Sequence, residues 1–418
     1  MTAALASAAP ARGLWPWSLF AATLAAAGLP LYIHAPAFYA ETHHIGLAAL
    51  GAVLGAIRFI DVVQDPALGW LAEAQRRHRA ALVGGSMALM AGGMVGLFAV
   101  TPPVAPLLWF ALMMTVLCTA WSFLSIAFYA QGVTRAGGLG PAGHLRLATW
   151  REGGALVGVC LAATAPLALG VVSAEPFAVF ALIFVLATLA AGLAMRHEWQ
   201  AGPAVALPGL ALFRPVLADP LARRLLLLAL LNAAPVAVTS TLFLFFVGER
   251  LQAPDAAGPL LLAFFLAAAA SVPLWFRLAS RFGQKATLMA GMVLAIVSFA
   301  FALTLGPGDV LAFAVISAAS GAALGADTTL LPAIFARRLA ALGPGEAAAF
   351  GLWAFVSKLS LALAAVTLLP ALQLAGFTPT GANPPAALSL LTLLYAGLPL
   401  ALKALALALL ARTRLNET

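Results

Sequence analysis

Long apolar segments divide this chain, and they limit the folds open to it. A helix needs about 20 consecutive apolar residues to cross a bilayer, and segments of that length recur along the sequence with short polar intervals between them. The charged fraction of 9% is far below the value of about 25% that is typical of a soluble domain. We therefore predict an all-α membrane protein.

About twelve segments of this kind form two sets of six. The first set is predicted near residues 15–40, 45–70, 80–101, 105–131, 147–170 and 176–195, and the second near 225–248, 257–277, 286–305, 309–334, 347–371 and 386–411. The interval between the sets, from Arg196 to Arg224, is polar and contains four prolines. We predict an N-terminal half over residues 1–196, a cytoplasmic linker over 197–224 and a C-terminal half over 225–418.

Basic residues predict the orientation, because Lys and Arg accumulate in cytoplasmic loops. Arg77, Arg281 and Arg338 represent a larger set that falls in the intervals on one side, whereas Arg250 falls on the other. Both termini are thus predicted to be cytoplasmic, in a multi-pass protein of a bacterial-type inner membrane. These loops also explain the net charge of +8, so no nucleic-acid partner is expected.

The second segment carries charges at membrane depth, where they are costly and usually functional. Arg58, Asp61 and Asp65 lie at i, i+3 and i+7, which places them on one face of a helix. Two neighbouring carboxylates coexist in a low dielectric only if one is protonated, if a cation binds, or if basic groups compensate. The first two outcomes describe a cation site. The third describes a static cluster with Arg58 and Lys358.

The surrounding motif resembles a known family. Arg58-x-x-Asp61-x-x-x-Asp65-Pro66-x-x-Gly69-Trp70, followed by a basic loop, is similar to the melibiose-permease type of sugar:cation symporter. This is the glycoside-pentoside-hexuronide:cation branch of the major facilitator superfamily. The likeness extends to two further motifs, Gly351-Leu352-Trp353-x-Phe355-x-x-Lys358 and Gly325-Ala326-Asp327. It implies the major facilitator fold, with two six-helix halves.

The resemblance also implies roles at the cation site. Asp61 and Asp65 match the family's paired cation-site aspartates, and Gln64 and Ser122 fall where neighbouring ligands are expected. Lys358 matches a lysine that faces this site from the other half. With Arg58 and Lys358 opposing the two aspartates, a bound cation would have to displace or share a basic group, so these two residues are predicted to couple binding to movement.

Candidate solute contacts form a second set. Arg151 matches an arginine of the family's sugar site, and Tyr129 falls where an aromatic ring can stack on sugar. Ser125 occupies a position at which galactoside transporters of this type have Asp, so galactoside specificity is doubtful. Trp353 and Asp327 are further candidates. The alternatives are a helix-start pair for Arg151 with its neighbouring Glu, ordinary packing for the aromatic residues, and capping or pairing within the second half for Asp327.

We predict a secondary transporter that couples H⁺ or Na⁺ to the movement of a small polar solute, a sugar or sugar derivative by the resemblance, through alternating access. The alternatives are a uniporter or a carrier of a lipid-like substrate with a structural charge cluster, and a non-transporting membrane sensor. An enzyme is not expected, because the sequence offers no nucleophile with a base and no metal set. The coupling ion is the only cofactor expected, Na⁺ at Asp61 and Asp65 the only metal, and solute and lipid the partners of a monomer.

Overall fold

A computed structural model of the protein describes residues 13–199, 209–343, 345–378 and 383–415, and their secondary structure is helical. The helices of the first half are α1 Trp15–Ala26, α2 Leu29–His43, α3 Leu47–Ala74, α4 Arg79–Phe98, α5 Pro106–Gly137, α6 Gly143–Gly170 and α7 Pro176–Met195. Those that follow are α8 Arg214–Ala218, α9 Pro220–Phe245, α10 Ala257–Phe282, α11 Gln284–Ala300, α12 Val310–Leu342, α13 Glu346–Leu374, α14 Pro385–Thr392 and α15 Leu398–Arg412.

Several helix starts follow directly from the sequence. α5, α7, α9 and α14 begin with Pro, a residue that suits the first helical position because its missing N–H has no partner there in any case. Asp219 caps α9, since its carboxylate accepts a hydrogen bond from the backbone N–H of Ala222 at 2.7 Å. The short helix α8 lies in the segment predicted as a linker, and residues 200–208 of that segment lie outside the described part of the chain.

The number of membrane crossings agrees with the sequence prediction. In the described part of the chain, ten helical stretches are long and apolar enough to cross a membrane. α3, with its charged residues, adds one crossing, and α1 with α2 adds another, interrupted at Ala27 and Gly28. The chain is thus an all-α membrane protein of twelve transmembrane spans in two six-helix halves. Some helices run beyond the predicted spans into the loops, as α12 does to Leu342.

The two membrane faces differ in the charge of their loops, and the face with most of the Lys and Arg residues is called the basic side. The basic side carries the ends of α3, α5, α7, α10, α12 and α15, and with them Arg76, Arg135, Arg281 and Arg338. The opposite side carries the ends of α2, α4, α6, α9, α11 and α13. α9 and α14 each lead into a π-helical turn there, Phe246–Arg250 and Leu393–Gly397, and the rings of Phe246 and Tyr395 stack with centroids 4.1 Å apart.

The two halves meet mainly where α3 packs against α13 and where α6 packs against α10 and α12. Glycine allows the first of these contacts. A Cβ added to Gly69 would lie 2.7 Å from the carbonyl oxygen of Ala347, and one added to Gly351 would lie 2.8 Å from that of Asp65. Only residues without a side chain permit backbones to approach so closely, and the contact holds together the basic-side parts of α3 and α13.

Candidate ion and solute site

A lysine from the second half lies against both aspartates of the first half. The Nζ atom of Lys358, on α13, is 3.0 Å from Oδ2 of Asp65 and 3.6 Å from Oδ2 of Asp61, both on α3. It also donates a hydrogen bond to Oγ of Ser122, on α5, at 2.7 Å. Asp65 and Asp61 are 0% and 3% exposed. Three helices therefore converge on one partly buried ammonium group at the interface of the halves.

A polar chain supports Asp61 from the side of α5. Gln64 donates from Nε2 to Oδ1 of Asp61 at 2.8 Å, and Thr119 donates to Oε1 of Gln64 at 3.1 Å. Trp121, also on α5, lies near the ammonium group: its ring centroid is 5.4 Å from Nζ of Lys358, and its indole N–H donates to the carbonyl of Leu24 at 2.8 Å. These contacts limit the rotamers of the carboxylate and the ammonium group.

The charges around this cluster are closely matched. Asp61, Asp65 and Lys358 together carry a formal charge of −1 when all three are ionised, and Arg58, half-buried one helical turn before Asp61, brings the formal sum to 0. A cation or proton that binds to the carboxylates adds one positive charge and competes with the basic groups for the same oxygens. The arrangement can thus exchange a bound cation for the ammonium group of Lys358, which comes from the other half of the molecule.

A second charged cluster lies two helical turns closer to the basic side. Nε of Arg151 donates to Oε1 of Glu152 at 2.8 Å, and the hydroxyl of Tyr129 donates to the same oxygen at 2.9 Å. The guanidinium carbon of Arg151 lies 3.6 Å from the centroid of the Tyr129 ring. Arg151 is 5% exposed, and its Nη2 is buried without a hydrogen-bond partner in the structure.

The other predicted solute residues occupy different surroundings. Ser125 is half-buried on α5. Trp353 packs on Phe335 with ring centroids 4.8 Å apart. Phe350 lies between this pair and Tyr129, and the ring centroids of Phe350 and Tyr129 are 5.2 Å apart. Asp327 is not part of either cluster, because it pairs with Lys403 inside the second half. The structure thus places Arg151 and Tyr129 together, whereas Asp327 belongs elsewhere.

An ion pair and a hydrogen bond join the halves at the basic-side end of α3. Nε of Arg76 is 3.0 Å from Oε1 of Glu73, and its Nη2 is 2.7 Å from Oε2 of Glu346, on α13. Oε2 of Glu73 accepts a hydrogen bond from the backbone N–H of Ala347 at 3.0 Å. With the contact of Gly69, these bonds hold the basic-side ends of α3 and α13 together.

Sequence reasoning missed several residues of these clusters. Thr119 belongs to no motif, Glu152 is predicted only as a helix-start partner of Arg151, and a long side chain such as that of Lys403 usually extends toward the membrane surface. Instead, Lys403 is buried and bonded to Asp327 and Asn232. One feature of the sequence does indicate a buried, paired lysine: Lys403 lies well inside the last apolar segment.

Two six-helix halves with charged groups at their interface define a secondary transporter of the major facilitator superfamily. The family model described as "MFS/sugar transport protein" matches residues 18–417. The chain belongs to this family of membrane transporters, and it is not an enzyme. Comparison with curated protein sequences gives no match.

Solved structures share the fold at low sequence identity. A bacterial homologue of the iron transporter ferroportin, in an outward-facing state with soaked iron, is 14% identical with a TM-score of 0.71, and the match covers 95% of this chain and 98% of that one. A variant of the E. coli fucose:proton symporter is also 14% identical, with a TM-score of 0.61 and coverage of 94% and 98%. At this identity, the likeness concerns the fold alone.

Proposed function

We propose that this protein is a symporter in which H⁺ or Na⁺ at Asp61 and Asp65 drives movement of a small polar solute, a sugar or sugar derivative. The observation that carries the proposal is the position of Lys358, which reaches both carboxylates from the opposite half. A cation that replaces its ammonium group there removes a contact between the halves. A ligand shifts a conformational equilibrium only through such differential contacts.

The solute would bind between the halves near Arg151, Glu152 and Tyr129. A guanidinium with an unused N–H and a carboxylate offer donors and acceptors to adjacent hydroxyl groups, and the Tyr129 ring offers an apolar face. The family description and the fold shared with a fucose:proton symporter support a hydroxyl-rich solute. The basic side would be cytoplasmic, by the distribution of Lys and Arg.

Uptake into liposomes tests the proposal. The purified protein is reconstituted, and accumulation of radiolabelled glucose, xylose, glucuronate and melibiose is measured under an inward H⁺ gradient, an inward Na⁺ gradient or neither. Asp65→Asn should abolish uphill accumulation of the accepted solute and retain part of its downhill exchange. Lys358→Ala should impair both modes, because it leaves buried negative charge without a partner.

Asp255→Asn is the matched control, since the same chemical change is made at an exposed position on the opposite side. Its uptake should equal that of the parent protein. If Asp65→Asn concentrates solute as well as Asp255→Asn does, the aspartates are not the coupling site and the static-lock interpretation is correct.

A second candidate function, transport of a lipid-like solute, is favoured by one observation. A cleft of about 400 Å³ lies between α1, α6 and α10, and apolar or small residues such as Ala22, Gly154 and Val272 line most of it. Movement of a fluorescent lysolipid between leaflets, measured in the same liposomes, distinguishes this function from sugar uptake.

A further inference from the structure

A second buried ion pair lies inside the second half, apart from the site described above. Nζ of Lys403, on α15, pairs with Oδ2 of Asp327, on α12, and donates to Oδ1 of Asn232, on α9, at 2.5 Å. Asp327 and Asn232 are each 7% exposed and Lys403 is 5% exposed. Charged residues at membrane depth are usually functional, and a buried ion pair by itself is weak evidence for stabilisation.

A cavity of about 70 Å³ adjoins this pair and is lined by Asp327 and Lys403 themselves. Its other walls come from the parts of α9, α10, α11 and α12 that approach the opposite side, including Thr239, Phe264 and Ser320. Asp327 therefore lies at one end of a space whose other lining residues, such as Thr239 and Ser320, lie nearer that side. An engineered cavity of about 150 Å³ holds a benzene molecule, so this one is too small for a sugar and suits water molecules.

The polar lining is arranged to accept hydrogen bonds. The hydroxyl of Thr239 donates to the carbonyl of Pro235 at 3.1 Å, and that of Ser320 donates to the carbonyl of Ile316 at 2.8 Å. Their oxygens are left as acceptors for water next to the Asp327 carboxylate. Ordered water held in this way can carry protons to a buried carboxylate.

Asn232 gives the cluster two workable protonation states. While Asp327 is ionised, Lys403 is shared between the carboxylate and the amide oxygen of Asn232. When Asp327 is protonated, the amide oxygen still accepts from the ammonium group, so Lys403 is not left without a partner. A pair that served only to lock helices would not need this neutral acceptor.

We propose that Asp327 is a second proton-binding site, reached by water from the opposite side and separate from the cation site of the first half. One proton from a hydronium ion, relayed through the water, adds to a carboxylate oxygen of Asp327 and leaves a water molecule behind; the bond of Asp327 to Lys403 breaks, and the ammonium group stays on Asn232. The charge of the cluster changes from 0 to +1. The site therefore fills at acidic pH, or when an anionic solute compensates the added charge.

The neighbouring charges leave Lys403 as the partner of this titration. Among the residues lining the cavity, Asp327 and Lys403 are the titratable members, and Lys403 is the charged group that acts on Asp327. The other charged residues of the helices packed against α12 lie at basic-side ends or in the clusters already described. On α13, Lys358 is bonded to Asp65, and on α6, Arg151 is bonded to Glu152.

Carbodiimide labelling tests the proposal, because dicyclohexylcarbodiimide adds to protonated carboxyl groups in apolar surroundings. The purified full-length protein is labelled between about pH 8 and about pH 5, and the modified peptides are quantified by mass spectrometry. Labelling of Asp327 should increase as the pH falls, by up to tenfold for each pH unit. The protonated fraction of a single carboxyl changes in this way at pH values above its pKa. Exposed Asp255 is an internal negative control, and the peptide carrying Asp61 and Asp65 reports the first site separately.

Two variants separate proton binding from a permanent ion pair. Asn232→Leu removes both the second acceptor for Lys403 and a hydrogen-bond partner of the Asp327 carboxylate, so it should change labelling of Asp327 several-fold. Lys403→Met removes the positive partner of Asp327. Asp327 should then label strongly near neutral pH in this variant, because an unpaired buried carboxylate takes up a proton.

Several outcomes overturn the proposal. If Asp327 labels in Lys403→Met but at no pH in the parent protein, the pair is a static lock. If it labels in neither protein, the cavity admits neither reagent nor proton. If labelling is independent of pH or of Asn232, the two-state cluster is wrong. None of these results affects the proposal for Asp61 and Asp65, which are measured on another peptide.

Discussion

Replacing Gly69 by Ala should open the basic side of the molecule. The added Cβ would lie 2.7 Å from the carbonyl oxygen of Ala347 and 3.0 Å from Cα of Gly351, both well inside ordinary van der Waals contact. Backbone atoms cannot move away as a flexible side chain can, so α3 and α13 must separate. Overpacking of this kind costs about 1–3 kcal/mol. The clash exists only while the two helices are in contact.

That cost translates into populations. A destabilisation of about 1–3 kcal/mol of the closed basic side shifts its equilibrium with the open form by roughly 5-fold to 150-fold. The preference of helices for Ala over Gly stabilises both forms alike and does not alter the ratio. If the parent protein has a small open fraction, the Gly69→Ala variant should therefore have a much larger one.

Spin-label distances provide the assay. Labels are attached at Arg77→Cys and Ala341→Cys, two exposed positions on the basic side of different halves, after buried Cys118 and Cys160 are replaced by Ala. The distance distribution should gain a longer component in Gly69→Ala.

Gly55→Ala, on the same helix, is the matched control, because a Cβ there meets no atom within 4 Å. Distributions that are the same for Gly69→Ala and Gly55→Ala would refute the reasoning.

Other substitutions test the remaining contacts. Glu73→Gln should weaken closure of the basic side by about 1 kcal/mol, because the hydrogen bond that Glu73 accepts from the backbone N–H of Ala347, on α13, loses its charged acceptor; the same spin labels would detect this. The hydrogen bond from Arg338 holds the pKa of Asp219 below its ordinary value; the bond thus stabilises the fold above about pH 3.9 and is lost as the pH falls through the lower folded-state pKa. Thermal unfolding of Asp219→Asn should accordingly differ from the parent at neutral pH, and the two should converge in acid. Arg151→Gln should abolish solute binding, measured by scintillation proximity, and leave cation-dependent protection of the first site intact; joint loss would make Arg151 structural.

The length of the apolar segments predicts the architecture well, because lipid demands helices of a minimum length. The spans and the two halves follow from that constraint. The break between α1 and α2 does not, since hydropathy averages over the small residues Ala27 and Gly28. A proline in the first turn of α2 is compatible with either a kink or a new helix start.

The sequence shows where the charged residues of the membrane spans lie more readily than it shows which of them pair. Spacing on one helix brought Asp61 and Asp65 together, and a motif pointed to Lys358, although 293 positions separate it from Asp65. No local pattern connects Asp327 with Lys403 or Asn232, because each lies on a different helix and the three are far apart in the sequence. Such pairings depend on helix packing, which periodicity alone does not determine.

The separation of Lys358 from Asp65 also affects how the chain is made. Ribosomes add roughly 5–20 residues per second, so Lys358 is synthesised about 15–60 s after Asp65, given the 293 positions between them. During that interval α3 enters the bilayer with two aspartates, each of which disfavours insertion by about 2.5–3.5 kcal/mol at the centre of a helix, before its lysine partner exists. The first half is therefore an insertion intermediate whose two aspartates have not yet met Lys358. The ion cluster is completed only when the eleventh span is inserted beside it.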